Sequence, residues 1–194
     1  MSTAWLQSAA FFEQKYRSSP DPWHFATAEY EQRRYEATLG ALPRPTYERA
    51  YEPGCSVGVL TSALARRCTR VEACDIAASA VARARERCRA LPNVTIFQGD
   101  VRAMPADDHF DLIVLSEIGY YFSKPELREL VRGLAGGLQP GGDLVAVHWL
   151  GQSADHVLHG DEVYRVLAAA LPWDVKHRMR HAGFRIDVWR RCAR

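Results

Sequence analysis

The chain has 194 residues, of which 47% are hydrophobic and 25% charged, and its formal net charge is +2. This length suits one domain with a sizeable core, and the near-neutral charge argues against a nucleic-acid or membrane-surface partner. No stretch is apolar enough to cross a bilayer, and the first residues show no signal-peptide pattern. The five cysteines have neither Cys-x-x-Cys nor zinc spacing, which favours a reduced, cytoplasmic setting without a metal site.

The sequence begins with a helical section and continues with alternating strands and helices. Helices are predicted over Ala4–Lys15 and Ala28–Leu42, and prolines 43 and 45 end the second. The later predictions, in chain order, are strand Arg49–Glu52, helix Gly58–Arg67, strand Arg70–Cys74, helix Ala77–Ala90, strand Asn93–Gln98, strand Phe110–Ser116, helix Pro125–Gly133, turn Gln139–Gly142, strand Asp143–His148, helix Asp161–Ala170, a short helix near Val175–His181 and strand Phe184–Trp189.

This alternation predicts an α/β fold with a doubly wound, mostly parallel, Rossmann-like sheet and helices on both faces. Residues 1–45 are predicted to form an N-terminal helical cap and residues 46–194 the α/β core of a single domain, 1–194. Because the chain stops soon after the last predicted strand, we expect six strands or a very short seventh.

A glycine-rich turn follows the first predicted strand. Glu52 leads into Gly54-Cys55-Ser56-Val57-Gly58, which opens onto a predicted helix. Glycines let the backbone approach a ligand closely, and the helix N-terminus points at it. Asp75 ends the next strand, at about the spacing that places a carboxylate on ribose hydroxyls. The pattern predicts a cofactor that contains a nucleoside.

Three further features follow in order. Asp100 comes after the third strand, the apolar strand Phe110–Ser116 leads into Glu117–Tyr121, and Leu138–Gly142 forms a Pro-Gly-Gly turn. Together with the glycine turn and Asp75, these features resemble the class I S-adenosylmethionine-dependent methyltransferases. In that family Ser56 would replace a glycine.

The resemblance narrows to the NodS-like methyltransferases. It is carried by Asp21-Pro22-Trp23, Tyr30-Glu31-Gln32-Arg33-Arg34-Tyr35, the segment Glu52–Thr61 and the segment Leu112–Glu117. The resemblance implies S-adenosylmethionine as cofactor and S-adenosylhomocysteine as product. It also implies N-methylation of an amino sugar or a deacetylated chitin-type oligosaccharide. Another small amine or hydroxyl metabolite is the alternative acceptor, and the oligomeric state is not predicted.

The resemblance implies cofactor-binding roles for residues of the cap and of the strand ends. Glu52 is expected to bind the cofactor ammonium, Asp75 the ribose hydroxyls and Asp100 the adenine amino group. Arg33 is expected to pair with the methionyl carboxylate, with a surface salt bridge to Glu29 or Glu36 as its alternative. The full set is Trp23, Tyr30, Arg33, Glu52, Gly54, Cys55, Ser56, Gly58, Asp75, Ile76, Asp100, Val101 and Ser116.

The candidate catalytic residues are Glu117, Tyr120 and His148, which follow the fourth and fifth strands. An attacking amine must be neutral, so we expect a proton acceptor, either His148 or a Glu117 whose pKa is raised by burial. A core role is the alternative for His148, and Tyr120 either stacks on a sugar or fills the core. His156 and His159 are predicted to lie in a loop on the acceptor side, with Asp161.

Three other functions fit parts of the pattern. The run Gly54–Gly58 matches the G-x-S-x-G nucleophile elbow of α/β-hydrolases, with Ser56 as nucleophile. Only helical sequence precedes the first strand, which argues against that fold. A nicotinamide oxidoreductase would need a third glycine in register. A regulator that binds S-adenosylmethionine without catalysis is the third alternative.

Overall fold

The computed structural model describes residues 8–103 and 110–193. Its elements in chain order are α1 (Ala9–Ser18), α2 (Glu29–Gly40), β1 (Tyr47–Pro53), α3 (Val59–Leu64), β2 (Cys68–Asp75), α4 (Ala78–Cys88), β3 (Val94–Gln98), β4 (Phe110–Ser116), a 3₁₀ turn (Gly119–Tyr121), α5 (Lys124–Gly137), β5 (Leu138–Trp149), α6 (Gly160–Ala170), β6 (Val175–Arg180) and β7 (Phe184–Arg190). Among these residues, seven strands form one sheet in the order β3-β2-β1-β4-β5-β7-β6.

The sheet is covered on both faces. Every residue of the central strand β4 is buried, and successive side chains point to opposite faces. Ile113 and Leu115 belong to the core cluster formed with α5 and α6. Leu112 and Val114 belong to the cluster formed with α3 and the residues that follow α2. A strand buried on both sides favours apolar residues at successive positions, which explains the apolar run Leu112–Leu115 within β4.

The predicted doubly wound, mostly parallel sheet is confirmed. The strands β1 to β5 pair in parallel, and β7 pairs antiparallel with β5 and β6. The short helix predicted near Val175–His181 is wrong, because that segment is β6. A seventh strand is present, and with seven residues β7 is not the very short strand that was expected. β6 lies at the sheet edge with four of its six side chains exposed, so it lacks the apolar alternation that marks a strand.

Two other boundaries differ from the sequence prediction. The turn predicted at Gln139–Gly142 lies inside β5 as an irregularity, since Phe110 pairs with Leu138 whereas Leu112 pairs with Asp143. The first helix, α1, starts after Ser8, whose side chain accepts the N–H of Phe11. The beginning of the helix predicted over Ala4–Lys15 lies outside the described residues.

The helix α1 packs against the turns that follow β1 and β2. The phenol of Tyr16 donates to the Ser56 hydroxyl, and the backbone N–H and hydroxyl of Ser79 donate to Glu13. These hydrogen bonds from Ser79 hold the pKa of Glu13 at about 2. Tyr16 also packs with Val57 in a small apolar cluster. The N-terminal helices thus cover the carboxyl ends of the strands.

None of the described helices is long and apolar enough to span a membrane.

Two glycine-to-alanine substitutions should change stability in opposite directions. Gly58 has φ +77°, and a Cβ there would lie 3.0 Å from Ala84. Gly58→Ala should therefore lower the free energy of unfolding by more than about 1 kcal/mol. Gly133 lies exposed within α5, with no atom within 4 Å of an added Cβ. Gly133→Ala should raise the free energy by about 0.5–1 kcal/mol.

Urea denaturation of both variants measures these changes. Equal effects of the two substitutions would contradict the left-handed turn at Gly58.

Candidate active site

The glycine-rich turn exposes its backbone toward the carboxyl edge of the sheet. Gly54, Ser56 and Gly58 all have positive φ angles, of 76°, 52° and 77°. The turn is tied to β2, because the N–H groups of Gly54 and Cys55 both donate to the Cys74 carbonyl at 2.8 Å. A Cβ on Gly54 would lie 2.6 Å from Ile118, so only glycine fits there.

Two buried carboxyl groups flank this turn. The Thr61 hydroxyl donates to Glu52 at 2.6 Å, and burial raises the pKa of Glu52 to about 8. Asp75 accepts N–H groups of Ser56 and Ala77, each at 2.9 Å, and burial raises its pKa to about 6. Both groups are short of cationic partners among the described residues. A ligand that brings a positive charge or hydroxyl donors would stabilise their ionised forms.

A cavity of about 480 Å³ lies at the carboxyl ends of the parallel strands. Most of the residues predicted from the sequence line it: Trp23, Tyr30, Glu52, Gly54, Cys55, Ser56, Asp75, Ile76, Asp100, Val101, Ser116, Glu117 and Tyr120. This edge is where doubly wound sheets bind their ligands. Gly58 ends the turn and packs on Ala84 instead. The thiol of Cys55 is almost fully buried, and burial together with Asp75 raises its pKa well above the ordinary value.

Arg33 does not line the cavity, so the role expected of it needs correction. Its side chain is 71% exposed and pairs with Glu29, one turn earlier in α2. This is the salt bridge considered as the alternative. The neighbouring Arg34 is only 1% exposed and lines the cavity. It is buried because it shares the inner face of α2 with Glu31 and Thr38. The spacing of positions 31, 34 and 38 places them on one face of the helix, and this spacing distinguishes position 34 from position 33 in the sequence.

Arg34 forms the centre of a buried ionic network. It pairs with Glu31 and, over 2.7 Å, with Glu117. Burial raises the pKa of Glu31 to about 7, although Arg34 opposes the change. The Nε atom of Arg34 is buried and has no hydrogen-bond partner among the described residues. A buried donor of this kind is costly unless a ligand satisfies it. The guanidinium can therefore bind an anionic ligand group.

Glu117 is held in a left-handed backbone conformation, with φ +60°. Its backbone N–H donates to the Val147 carbonyl, and its carboxylate accepts the N–H of Trp149 at 2.6 Å and the Tyr120 hydroxyl at 2.7 Å. Such strained positions persist only where the surroundings fix them, and they cluster at functional sites. Burial and the charge of Glu117 raise the pKa of Tyr120, so its hydroxyl stays protonated as a donor.

His148 is enclosed in the core and does not line the cavity. Its Nε2 accepts the N–H of Gly119 at 3.0 Å. Burial, reinforced by the charge of Arg34, lowers its pKa to about 3. The imidazole is thus neutral and out of reach of an acceptor, so the role of general base predicted for it is wrong. The alternative of a core histidine is the one observed, since His148 supports the 3₁₀ turn that carries Tyr120.

The other sequence predictions are divided by the structure. His156 lines the cavity, whereas His159 caps α6 by accepting the N–H of Asp161, and Asp161 pairs with Arg180. Asp100 lines the cavity and pairs with Arg102, which lowers the pKa of the carboxyl. Among the described residues, no group of three or more His, Cys, Asp or Glu side chains could hold a metal ion.

Several cavity residues were missed by the sequence analysis. Tyr16 reaches the site from α1, and its phenol donates to Ser56, whose hydroxyl therefore faces a tyrosine where a hydrolase would place a histidine. This contact removes the support for the serine nucleophile. Contacts made across the fold leave no local pattern. The missed lining residues include Phe12, Tyr16, Phe25, Glu31, Arg34, Tyr35, Arg102, Ile118, Phe122, Gln152 and Ser153.

The comparisons with known sequences identify one family. The family model of nodulation protein S (NodS) matches residues 9–178. Nodulation protein S of Sinorhizobium fredii is 32% identical over 130 residues, which cover 66% of this chain and 60% of the relative. The protein of the same name from Rhizobium tropici is also 32% identical over 130 residues, covering 66% and 55%. The match thus spans less than two thirds of the length of these curated relatives.

Solved structures share the fold. The N-methyltransferase NodS from Bradyrhizobium japonicum WM9, in complex with S-adenosylhomocysteine, has a TM-score of 0.82 at 23% identity, covering 94% of this chain and 98% of that chain. A Pseudomonas syringae protein provisionally named a methyltransferase has a TM-score of 0.76 at 34% identity, covering 84% and 100%. Since the family model spans most of the sequence, this chain belongs to the NodS family.

Proposed function

We propose that the protein is an S-adenosylmethionine-dependent N-methyltransferase whose acceptor is an amine of an amino sugar or of a deacetylated chitin-type oligosaccharide. The observation that carries the proposal is the convergence of Glu52, Asp75 and Arg34 on one cavity at the strand ends. Membership of the NodS family supports the reaction, and the NodS structure solved with S-adenosylhomocysteine supports the cofactor. Another small amine or hydroxyl compound is the alternative acceptor.

The residues of the cavity fit the parts of the cofactor. Asp75 would bind the ribose hydroxyls, Asp100 the adenine amino group and Glu52 the ammonium group. Arg34, with its unpartnered Nε, takes the methionyl carboxylate in place of Arg33. Guanidinium and carboxylate match each other as bidentate partners. When bound, the cofactor supplies a methyl group that its sulfonium charge already activates.

The protein then contributes alignment and exclusion of water. Holding two reactants in line contributes roughly 7–11 kcal/mol in well-oriented reactions. The cap residues Tyr16 and Trp23 line the cavity and shield it from solvent. A loss of cofactor binding should therefore reduce activity more than the loss of a general base.

The charges of the cavity favour an amine acceptor. Its described lining contains five acidic residues, at positions 31, 52, 75, 100 and 117, against two arginines. Both arginines are already paired with carboxylates of that set. Such a lining attracts cations, and once Arg34 binds the methionyl carboxylate it offers no further cation for a phosphorylated acceptor.

Asp75→Ala tests the cofactor site. The substitution removes the acceptor for both ribose hydroxyls, so the affinity for S-adenosylhomocysteine should fall by roughly 100-fold or more. Isothermal titration calorimetry measures the affinity. Asp174→Ala, which removes an exposed aspartate, should leave the affinity unchanged. Normal binding by Asp75→Ala would overturn the proposed site.

Two adjacent substitutions separate the arginines. Arg34→Met should weaken S-adenosylhomocysteine binding about 10- to 100-fold, because the carboxylate loses a charged partner. Arg33→Met should have no effect. Methylthioadenosine lacks the amino-acid tail, so Arg34→Met should weaken its affinity less than that for S-adenosylhomocysteine. If Arg34→Met weakened both ligands equally, Arg34 would act through the fold and not through the carboxylate.

Glu52→Gln should weaken cofactor binding and raise the free energy of unfolding. The folded state raises the pKa of Glu52 from 4.5 to about 8, so it retains a proton that the unfolded chain releases. This group therefore lowers the free energy of unfolding progressively from about pH 4.5 to pH 8. The variant should be more stable than the wild type by about 1 kcal/mol or more at pH 8, and by less at pH 5.

Urea denaturation at the two pH values measures this difference, and calorimetry should show weaker S-adenosylhomocysteine binding by the variant. A difference in stability that shrinks toward pH 8 would contradict the buried, unpaired state of Glu52.

A further inference from the structure

The loop between β5 and α6 lines part of the cavity and is fixed to the 3₁₀ turn. The N–H groups of Val157 and Leu158 both donate to the Tyr120 carbonyl, at 2.8 and 3.0 Å. The imidazole of His156 stacks on the Tyr120 ring, with centroids 3.7 Å apart and planes inclined by 17°. The loop and the 3₁₀ turn thus form one unit that presents His156 to the cavity.

Further contacts fix the orientation of this imidazole. The rings of Tyr121 and Trp149 meet it edge-on, with centroids 5.5 and 5.9 Å away. Lys15 of α1 pairs with Asp155, the residue before His156. A ring held by three aromatic side chains loses little entropy when a ligand binds it.

The imidazole of His156 has one nitrogen available. Its Nδ1 is enclosed and has no hydrogen-bond partner among the described residues, which leaves Nε2 for a ligand. Burial lowers the pKa of His156 to about 4, with His159 acting in the same direction and Asp155 in the opposite one. At neutral pH the ring is therefore uncharged, and in the tautomer with its proton on Nδ1 the Nε2 can accept a hydrogen bond.

We propose that His156 is a catalytic residue that binds the acceptor, its Nε2 accepting an N–H hydrogen bond from the attacking amine and so directing the amine lone pair toward the methyl group. The inference rests on the proposed function. Glu117, the other candidate on this wall, already binds Arg34, Tyr120 and the backbone of Trp149. His156 offers a nitrogen that no residue of the described chain occupies.

The hydrogen bond strengthens as the reaction proceeds. The amine nitrogen forms the new N–C bond with its lone pair, while the electron pair of the broken C–S bond stays on sulfur. The nitrogen becomes positively charged, and its N–H groups become stronger donors toward the neutral imidazole. The methylated ammonium then releases its extra proton to water.

His156→Phe tests this role, because phenylalanine keeps the stack on Tyr120 and removes both nitrogens. Turnover is measured as S-adenosylhomocysteine release with glucosamine and with fully deacetylated chitotriose as acceptors. For the better acceptor, kcat/KM should fall about 10- to 100-fold, the loss of a charge-assisted hydrogen bond. The affinity for S-adenosylhomocysteine alone should not change. The matched control, His177→Phe, alters an exposed histidine of β6 and should keep full turnover.

A second variant and a binding measurement cover the case in which His156→Phe fails to fold. His156→Gln retains a polar acceptor atom, so its kcat/KM should fall less than that of His156→Phe. If His156→Phe does not fold, the kcat/KM of His156→Gln should still lie within 10-fold of the wild-type value. In the wild type saturated with S-adenosylhomocysteine, chitotriose should shift the imidazole ¹⁵N signals of His156, as followed by NMR.

The outcomes separate this inference from the proposed function. If His156→Phe keeps the wild-type turnover, the role of His156 is overturned and the proposed function is not. The same holds if chitotriose binds without shifting the His156 signals. Absence of both S-adenosylhomocysteine binding and turnover in the wild type overturns the proposed function, and this inference with it.

Discussion

The buried ion pair between Arg34 and Glu117 joins the helical cap to the end of the central strand, and the site depends on it. Arg34 comes from α2 and Glu117 follows β4, so the pair fixes the cap relative to the sheet. Removing one partner of such a pair costs about 3–5 kcal/mol, because the other charge stays buried and unpaired. Tyr120 and the backbone of Trp149 bind the same carboxylate. The helical cap and the 3₁₀ turn that carries Tyr120 therefore share one anchor.

The site is built at a cost to stability. Burial keeps Glu52 and Asp75 in an environment that disfavours their charge, and Glu117 holds a left-handed backbone. The Nε of Arg34 has no partner within the described chain. Each of these features opposes the apo fold, and a charged ligand with hydroxyl groups would relieve several at once. The well-packed clusters on both sheet faces supply the compensating stability.

The sequence predicted the sheet and most of the cavity, because both leave local patterns. The apolar strand β4 and the turn Gly54–Gly58 mark the fold, and Asp75 marks one side of the cavity. The contacts of single side chains were harder to predict. Arg33 and Arg34 are neighbours of the same type, and only the helical face separates them. His148 lies near the carboxyl end of β5, as a catalytic residue would, yet its side chain is buried in the core. The edge strand β6 is stabilised by its pairing with β7, and the sequence of β6 contains no pattern that indicates this pairing.

Cys55 belongs to the lining of the same cavity, and its side chain packs in a buried cluster with Ala73 and Val81. A sulfonium methyl donor is an alkylating agent, and a thiolate is among the strongest nucleophiles in a protein. Because burial and the nearby Asp75 hold the pKa of Cys55 well above its ordinary value, the sulfur stays protonated and unreactive. In the proposed reaction, the carboxylates that would bind the cofactor would thus also keep this thiol from being methylated.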